Sequence, residues 1–528
     1  MSASAIKDKA ASILAESKKL KRELTLLPLF GLIYFTVCGG AFGAEPMVGW
    51  SGPGLAILLF FITPILFSIP NMLMVREMQS MMPAEGGYYH WVKQAFGPFT
   101  GFMAGWMNWV VAWVDVSIYP VLAAYYLGYF IPAIREGTTI GGIELSSELL
   151  SFVVAFVLIW AVSYLSIRGA RLSGLVSNWL GFFMLLPLIL MSILGIINWI
   201  RSGVTIALPF LPEGETLLGA LSTGIFVAMW NFMGWELPTA AGDEIVNPKR
   251  TYPIAMVLVL VAAIATYSIP TIAGLYGGAG AEGRYQLWGI EEYESGEGIG
   301  VVAEEYGVPP EKLEEWGVDT GSSVGWEFPD IAHVIGDTFA GKDSPLSFFL
   351  GWTVTISAVL SMIGLFIGNG LGGTRVPFAM AEDGMMPAWL TKVHPKYGTP
   401  WVSILICAII FTIFSFQAFA ALVVIDVFLN MLVLMAEFFA MWKLRFTHPD
   451  LPRQKVPGGY LGMIYVTLAP LAIILLAIYS QVMEEGMSSI GLALIFMAIG
   501  ALLYFPIKQF VKPGVPDVDP FEAGEAEA

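Results

Sequence analysis

Apolar stretches of roughly 20 residues recur along nearly the whole chain, the length a helix needs to cross about 30 Å of hydrocarbon. Twelve can be counted, at 25–49, 53–78, 98–131, 147–166, 172–198, 217–240, 252–276, 346–371, 398–418, 419–442, 459–481 and 488–508. With 56% hydrophobic and 13% charged residues, such a chain has too little polar surface to form a water-soluble globule. The expectation is an all-α polytopic membrane protein with twelve transmembrane helices. Residues before Leu24 are polar and basic and lack an apolar core, so no cleaved leader is expected.

Lysine and arginine placement orients the spans. If the N-terminus is inside, 21 of these residues fall on its side of the membrane and 5 on the other. Both termini are therefore expected in the cytoplasm and the chain in the cytoplasmic (plasma) membrane, which an even number of spans also requires. Residues 1–24 form a cytoplasmic segment, 25–276 hold seven spans, and 277–345 form an external loop. Residues 346–510 hold five more spans, and 511–528 form a cytoplasmic tail. The formal charge of −16 is concentrated: 277–345 has fifteen acids against three bases, and the tail adds five acids. An acidic external loop either draws cationic solutes toward an entrance or is simply a hydrated connection.

Cys38 and Cys407 lie inside expected spans, and His90, His333, His394 and His448 are scattered. No metal-ligand spacing, nucleophile elbow or phosphate-cradling glycine loop accompanies them. These patterns predict neither an enzyme, nor a metal or cofactor site, nor a nucleic-acid partner, and no obligatory protein partner is evident.

Two spans are interrupted in a similar way. The first contains "VCGGAFGAEP" (37–46), and the sixth contains "WNFMGWELP" (230–238). Glycine and proline weaken a helix, and within a bilayer the freed backbone groups must face protein or a water-filled cavity. Ordinary kinks would show the same residues. The spacing points further: first and sixth spans are equivalent positions in two repeats of five, and paired breaks mark a midplane binding site. That arrangement predicts a 5+5 inverted-repeat core with two peripheral helices.

"GGYYHWVKQAFGPFTGFMAGWMNW", "AGDEIVNPKRTYPIAM" and "RVPFAMAEDGMMPAWLTKVHPKYGTP", with the broken first span, resemble the amino acid–polyamine–organocation transporter superfamily over roughly 25–510. "YFTVCGGAFGAEPMVGWSGPG" and "NWVVAWVDVSIYPVL" are most similar to its plant branch of polyamine-uptake and L-type amino-acid-transporter-like proteins. The resemblance implies a LeuT-like fold, alternating access, and transport of amino acids or amines, often coupled to protons. It places substrate between the broken helices. Here those positions are Gly39, Gly40, Ala41, Phe42 and Gly43, then Trp230, Asn231, Phe232, Met233, Gly234, Trp235 and Glu236. An acid at the position of Glu236 is associated in the family with the substrate amine or with proton coupling.

A helix N-terminus freed by the first break would suit a substrate carboxylate, but Glu45 falls in its first turn. A resident carboxylate there repels a second one and favours an amine. Glu236 and Asp115 also fall in expected spans, where an unpaired ionised carboxylate is costly, and no basic residue lies mid-span to neutralise them. Asp426 and Glu437 in the tenth span serve either as proton relays or as packing groups. Glu77 and Glu244, at cytoplasmic span ends, read as ion-pair or gate residues. Phe42, Trp230, Phe232 and Trp235 either pack or contact an ammonium through their rings. The fifth span has no lysine to stand in for a coupling sodium ion; proton coupling through Glu236 or another acid is the expectation, with uniport, exchange and sodium coupling as open alternatives.

The expected function is a secondary active permease for amine-bearing substrates, leaning to polyamines. A neutral amino-acid permease or exchanger is the second reading, and a non-transporting nutrient sensor a remote third. The expected partners are the substrate, protons and membrane lipid.

Overall fold

A computed structural model describes residues 23–82, 87–128, 130–203, 208–212, 214–279, 285, 288, 327–416, 419–485 and 491–510. The N-terminal segment before Glu23, most of the acidic loop 277–345 and the tail 511–528 lie outside the described residues.

The first interrupted span is α1 (Leu26–Val37) and α2 (Glu45–Ser51). It is followed by α3 (Pro53–Met81), α4 (Gly87–Phe96), α5 (Pro98–Leu127), α6 (Ser147–Arg168) and α7 (Ala170–Ser202). The second half holds α8 (Leu217–Asn231), α9 (Pro248–Gly274), α10 (Phe328–Ala340), α11 (Pro345–Glu382), α12 (Trp401–Phe414), α13 (Phe419–Thr447), α14 (Gly459–Glu485) and α15 (Gly491–Phe510). Among the described residues eight helices are long and apolar enough to cross a membrane, and further apolar helices are shorter. Strand is limited to one hairpin, β1 (Thr138–Ile140) against β2 (Ile143–Leu145), turned through Gly141 and Gly142, both at positive φ.

Helix starts follow local chemistry. Ser146, Thr216 and Ser344 accept from the N–H groups of Leu149, Gly219 and Ser347 at the heads of α6, α8 and α11. Prolines stand in the first turns of α5, α9 and α11, where their missing N–H costs nothing.

Burial separates the layers. In α5 and α11 67% of the apolar window is buried, against 28% in α6, so the former are central and the latter faces lipid. Trp179, Phe182, Phe183 and Leu186 on α7, and Val257 and Val261 on α9, are correspondingly exposed. At the centre α11 crosses α1 in close contact: a Cβ on Gly364 would lie 2.3 Å from the Phe35 ring, so only glycine permits this approach.

Both interruptions are present, and they differ in form. After residues 38–44 the first span resumes as α2, whereas the sixth resumes as 3-10 turns, Leu237–Ala240 and Gly242–Glu244. The eighth span is longer than expected. Its helix continues unbroken past the expected end at residue 371 to Glu382 and takes in Arg375.

Candidate functional site

The two breaks face each other. Gly43 (φ 83°) and Gly234 (φ 92°) adopt left-handed backbone, open to glycine and strained for other residues. A side chain on Gly43 would meet the Trp230 ring at 2.8 Å, and one on Gly234 the Thr36 carbonyl at 2.6 Å. The Asn231 amide donates to the Gly43 carbonyl at 3.0 Å and to Val227 at 2.9 Å.

Freed backbone groups are satisfied by neighbouring helices. Ser361 of α11 donates to the Gly39 carbonyl, and Cys38 Sγ to that of Gly40. A π-helical stretch, Pro64–Ser68, interrupts α3 and presents Ser68 to the Phe232 carbonyl at 3.4 Å. The indole of Trp235 donates to the same carbonyl at 2.9 Å, and Tyr252 donates to the Trp235 carbonyl at 2.7 Å. Trp235 is thereby a buried brace, while Trp230 is only partly buried. Ala41 is buried, Phe42 packs edge-on against Tyr126 and Phe328, and Phe232 packs edge-on against Tyr267.

The acids divide into two groups. Glu45 is buried at the head of α2, where the N–H dipoles of Gly43, Ala44 and Glu45 itself act on its carboxylate. Its Oε1 also accepts from Phe328 N, at the start of α10, at 3.4 Å. The end of α2 that a substrate carboxylate would seek is therefore already served by a side chain. Glu45 stands apart from the other acids.

Those others form a connected set. Glu236 is buried, and its Oε2 accepts from Asn71 of α3 at 3.2 Å. Its Oε1 has no hydrogen-bond partner among the described residues. Asp115 of α5 accepts from Tyr119 at 2.6 Å, and Tyr119 accepts from Asn369 at 2.9 Å. Asp426 of α13 lies within electrostatic range of both Asp115 and Glu236, and Glu437 within range of Glu236. Among the described residues, none of Glu236, Asp115, Asp426 and Glu437 has a basic partner. Asp426 and Glu437 joined this set only through the fold; two acids eleven residues apart on one apolar helix were the available signal.

Closure surrounds the site. On the side rich in lysine and arginine, Arg375 pairs with Glu244 at 3.0 Å, both buried. Glu23 and Leu24 donate to the Glu244 carbonyl, while Val246 donates to that of Leu24. Arg445 grips Glu77 through two bonds of 2.6 and 2.5 Å, and Lys93 joins α4 to Asp383 at 3.0 Å. Glu77 and Glu244 are thus ion-pair residues, as their positions suggested. On the opposite side α10 sets Phe328 over Phe42. A capping box between Glu327 and Asp330 starts that helix, a signal overlooked inside the acidic loop.

Among the described residues, one group has metal-like spacing, His333, Asp337 and Asp343. Asp337 Oδ1 already accepts from Asp343 N at 2.8 Å and from Ser347 Oγ at 2.6 Å, which accounts for the cluster as a loop brace.

The model of the family described as "Amino acid permease" matches residues 24–282 and 328–504. The chain is 29% identical to a probable polyamine transporter of Arabidopsis thaliana, over 93% of this chain and 86% of that protein. It is 29% identical to polyamine transporter RMV1 of the same plant, over 93% and 87% of the two chains. It is 28% identical to polyamine transporter PUT1 of Oryza sativa subsp. japonica, over 94% and 82%. The crystal structure of MhsT in complex with L-phenylalanine shares the fold, with a TM-score of 0.58 at 14% identity, covering 88% of this chain and 99% of that one.

Proposed function

This chain belongs to the amino acid permease family, and we propose that it takes up polyamines through the plasma membrane, with both termini in the cytoplasm. As a family member it is a membrane-embedded secondary transporter of amino acids or polyamines, not an enzyme. The observation that carries the narrower reading is Glu45. Its carboxylate lies against the N–H groups at the head of α2, which disfavours a carboxylate-bearing substrate and leaves the amine as the recognised group.

In this reading substrate enters from the side of α10 and lies between the broken spans. Its ammonium faces the unpartnered Oε1 of Glu236, with Asp115 nearby and the Trp230 and Phe42 rings closing over the alkyl chain. An ammonium offers three donors and no acceptor, which matches a site of carboxylates. Proton coupling passes through Glu236, and protonation within its set of buried acids biases the transport cycle. Opening toward the cytoplasm requires separation of Arg375 from Glu244 and of Leu24 from Ile245.

Uptake of spermidine, putrescine and a panel of amino acids into proteoliposomes, with and without an imposed proton gradient, tests the reading. Gradient-stimulated polyamine uptake is the expected result. Efficient leucine or alanine uptake that polyamines do not compete with would sink it and leave the neutral amino-acid permease.

A further inference from the structure

Every orphaned polar atom along one face of α13 and the break it adjoins is an oxygen acceptor. Among the described residues, Asp426 Oδ1, Asn430 Oδ1 and both carboxylate oxygens of Glu437 lack partners, as do Glu236 Oε1 and Asn71 Oδ1. All five residues are at most 4% exposed. Native proteins leave few buried polar atoms unsatisfied, so a run of this length calls for an explanation.

Helix geometry puts three of these residues in line. Asp426 and Asn430 are one turn apart. Glu437 follows Asp426 by eleven residues, which is close to three full turns and about 16 Å along the axis. Glu236 lies within electrostatic range of both ends of this line. Tyr88 of α4 is buried with its hydroxyl unpartnered, within range of Glu437 and Glu236.

Protonation alone does not repair the set. A proton on Asp426 can serve Asn430 Oδ1 one turn on, and the Tyr88 hydroxyl can serve one oxygen of Glu437, but the other Glu437 oxygen, Glu236 Oε1 and Asn71 Oδ1 still lack donors. What the line lacks is donors, at several places, in a row. A water molecule brings acceptors as well as donors, whereas an ammonium brings donors only, with the charge that carboxylates without basic partners require.

The geometry points to an extended polycation groove in which Asp426, Asn430, Glu236 and Glu437 bind successive ammonium groups of one linear polyamine, with Asn71 and Tyr88 completing the end at Glu437. This deepens, and rests on, the reading of the chain as a polyamine carrier. It predicts selection by amine number: a diamine reaches from Glu236 to one neighbour, while a triamine engages the Glu437 end as well.

The test compares spermidine, putrescine and butylamine as substrates and competitors of the full-length protein in proteoliposomes. In the wild type KM falls with each added amine. In Glu437→Gln the KM for spermidine rises at least tenfold more than that for putrescine, and Tyr88→Phe shifts the ratio in the same direction by a smaller factor. Equal scaling of the two substrates overturns the groove. So does an unchanged ratio with a displaced pH profile, which makes Glu437 a proton relay. If Glu437→Gln transports nothing, thermal stabilisation of the purified variant decides: spermidine then protects it no better than putrescine, and retained wild-type preference overturns the proposal. Wild-type vesicles that take up no polyamine overturn both the groove and the function it rests on. Polyamine uptake with an unaltered ratio overturns the groove alone.

Discussion

The side-chain amide of Asn231 donates to the backbone carbonyl of Gly43, 188 positions away, at 3.0 Å. This single bond ties the break in the sixth span to the break in the first. The same amide closes its own helix on Val227 at 2.9 Å, so Asn231 satisfies two carbonyls that a membrane interior would otherwise leave bare. Breaks that depend on each other in this way are expected to move, or fail, together.

Asn231→Leu keeps approximate volume and removes both bonds. Leaving a buried carbonyl unpaired costs about 1–3 kcal/mol. The expected outcome is a lower thermal midpoint in detergent together with reduced uptake. Gly43→Ala should show the same pair of losses by a different route, since left-handed backbone costs a substituted residue about 1–2 kcal/mol and the new Cβ would meet Trp230 at 2.8 Å. Unchanged midpoints for both variants would show that the breaks are not coupled.

Glu45→Gln removes the charge that lies against the head of α2. A favourable helix-dipole contact is worth up to about 2 kcal/mol, and about 1.4 kcal/mol is tenfold in affinity. Amino acids are therefore expected to inhibit spermidine uptake at roughly tenfold lower concentration in the variant than in the wild type. Inhibition curves that superimpose would dissociate Glu45 from substrate discrimination.

Glu236→Gln preserves shape and the contact with Asn71 while abolishing the charge. Gradient-driven uptake is expected to be lost, with the protein still folded by thermal melting. Wild-type rates in this variant, measured as initial uptake with and without a proton gradient, would remove Glu236 from the mechanism.

The buried Arg375–Glu244 pair closes the side rich in lysine and arginine. Removing one partner of such a pair strands a charge and costs about 3–5 kcal/mol, while replacing both with apolar residues is often neutral. Arg375→Ala is thus expected to melt well below the wild type, and the double variant Arg375→Met with Glu244→Leu to recover most of the loss. The double variant should also leak substrate, because the closure no longer depends on charge. If the single and double variants melt alike, the pair carries no closure energy.

Much of this was legible in the chain. The apolar runs define the spans because hydrocarbon leaves a backbone few alternatives, and Gly43 and Gly234 mark the breaks because glycine tolerates the left-handed backbone found there. Other parts were hidden. The apolar run of the eighth span ends near residue 371 because charge begins at Arg375; in the fold the same helix runs on to Glu382, with the Arg375 charge met by Glu244. Helix α10 was obscured by the acidic composition around it, although Glu327, Pro329 and Asp330 carry a helix-start signature.

The sequence by itself determined that the chain is membrane-embedded, where its two interrupted helices are, and which carboxylates fall within apolar spans. Each of these depends on local composition set against a solvent that rejects charge and unpaired backbone. Only the tertiary structure decided which acids act together. Glu45, the first residue after the break and the most suggestive carboxylate in the sequence, turns to the backbone of its own helix and to Phe328. Asp426 and Glu437, which the sequence left as either relays or packing groups on a long apolar helix, lie within electrostatic range of Glu236. Side-chain partners across helices depend on packing between segments hundreds of residues apart, and no local pattern encodes that.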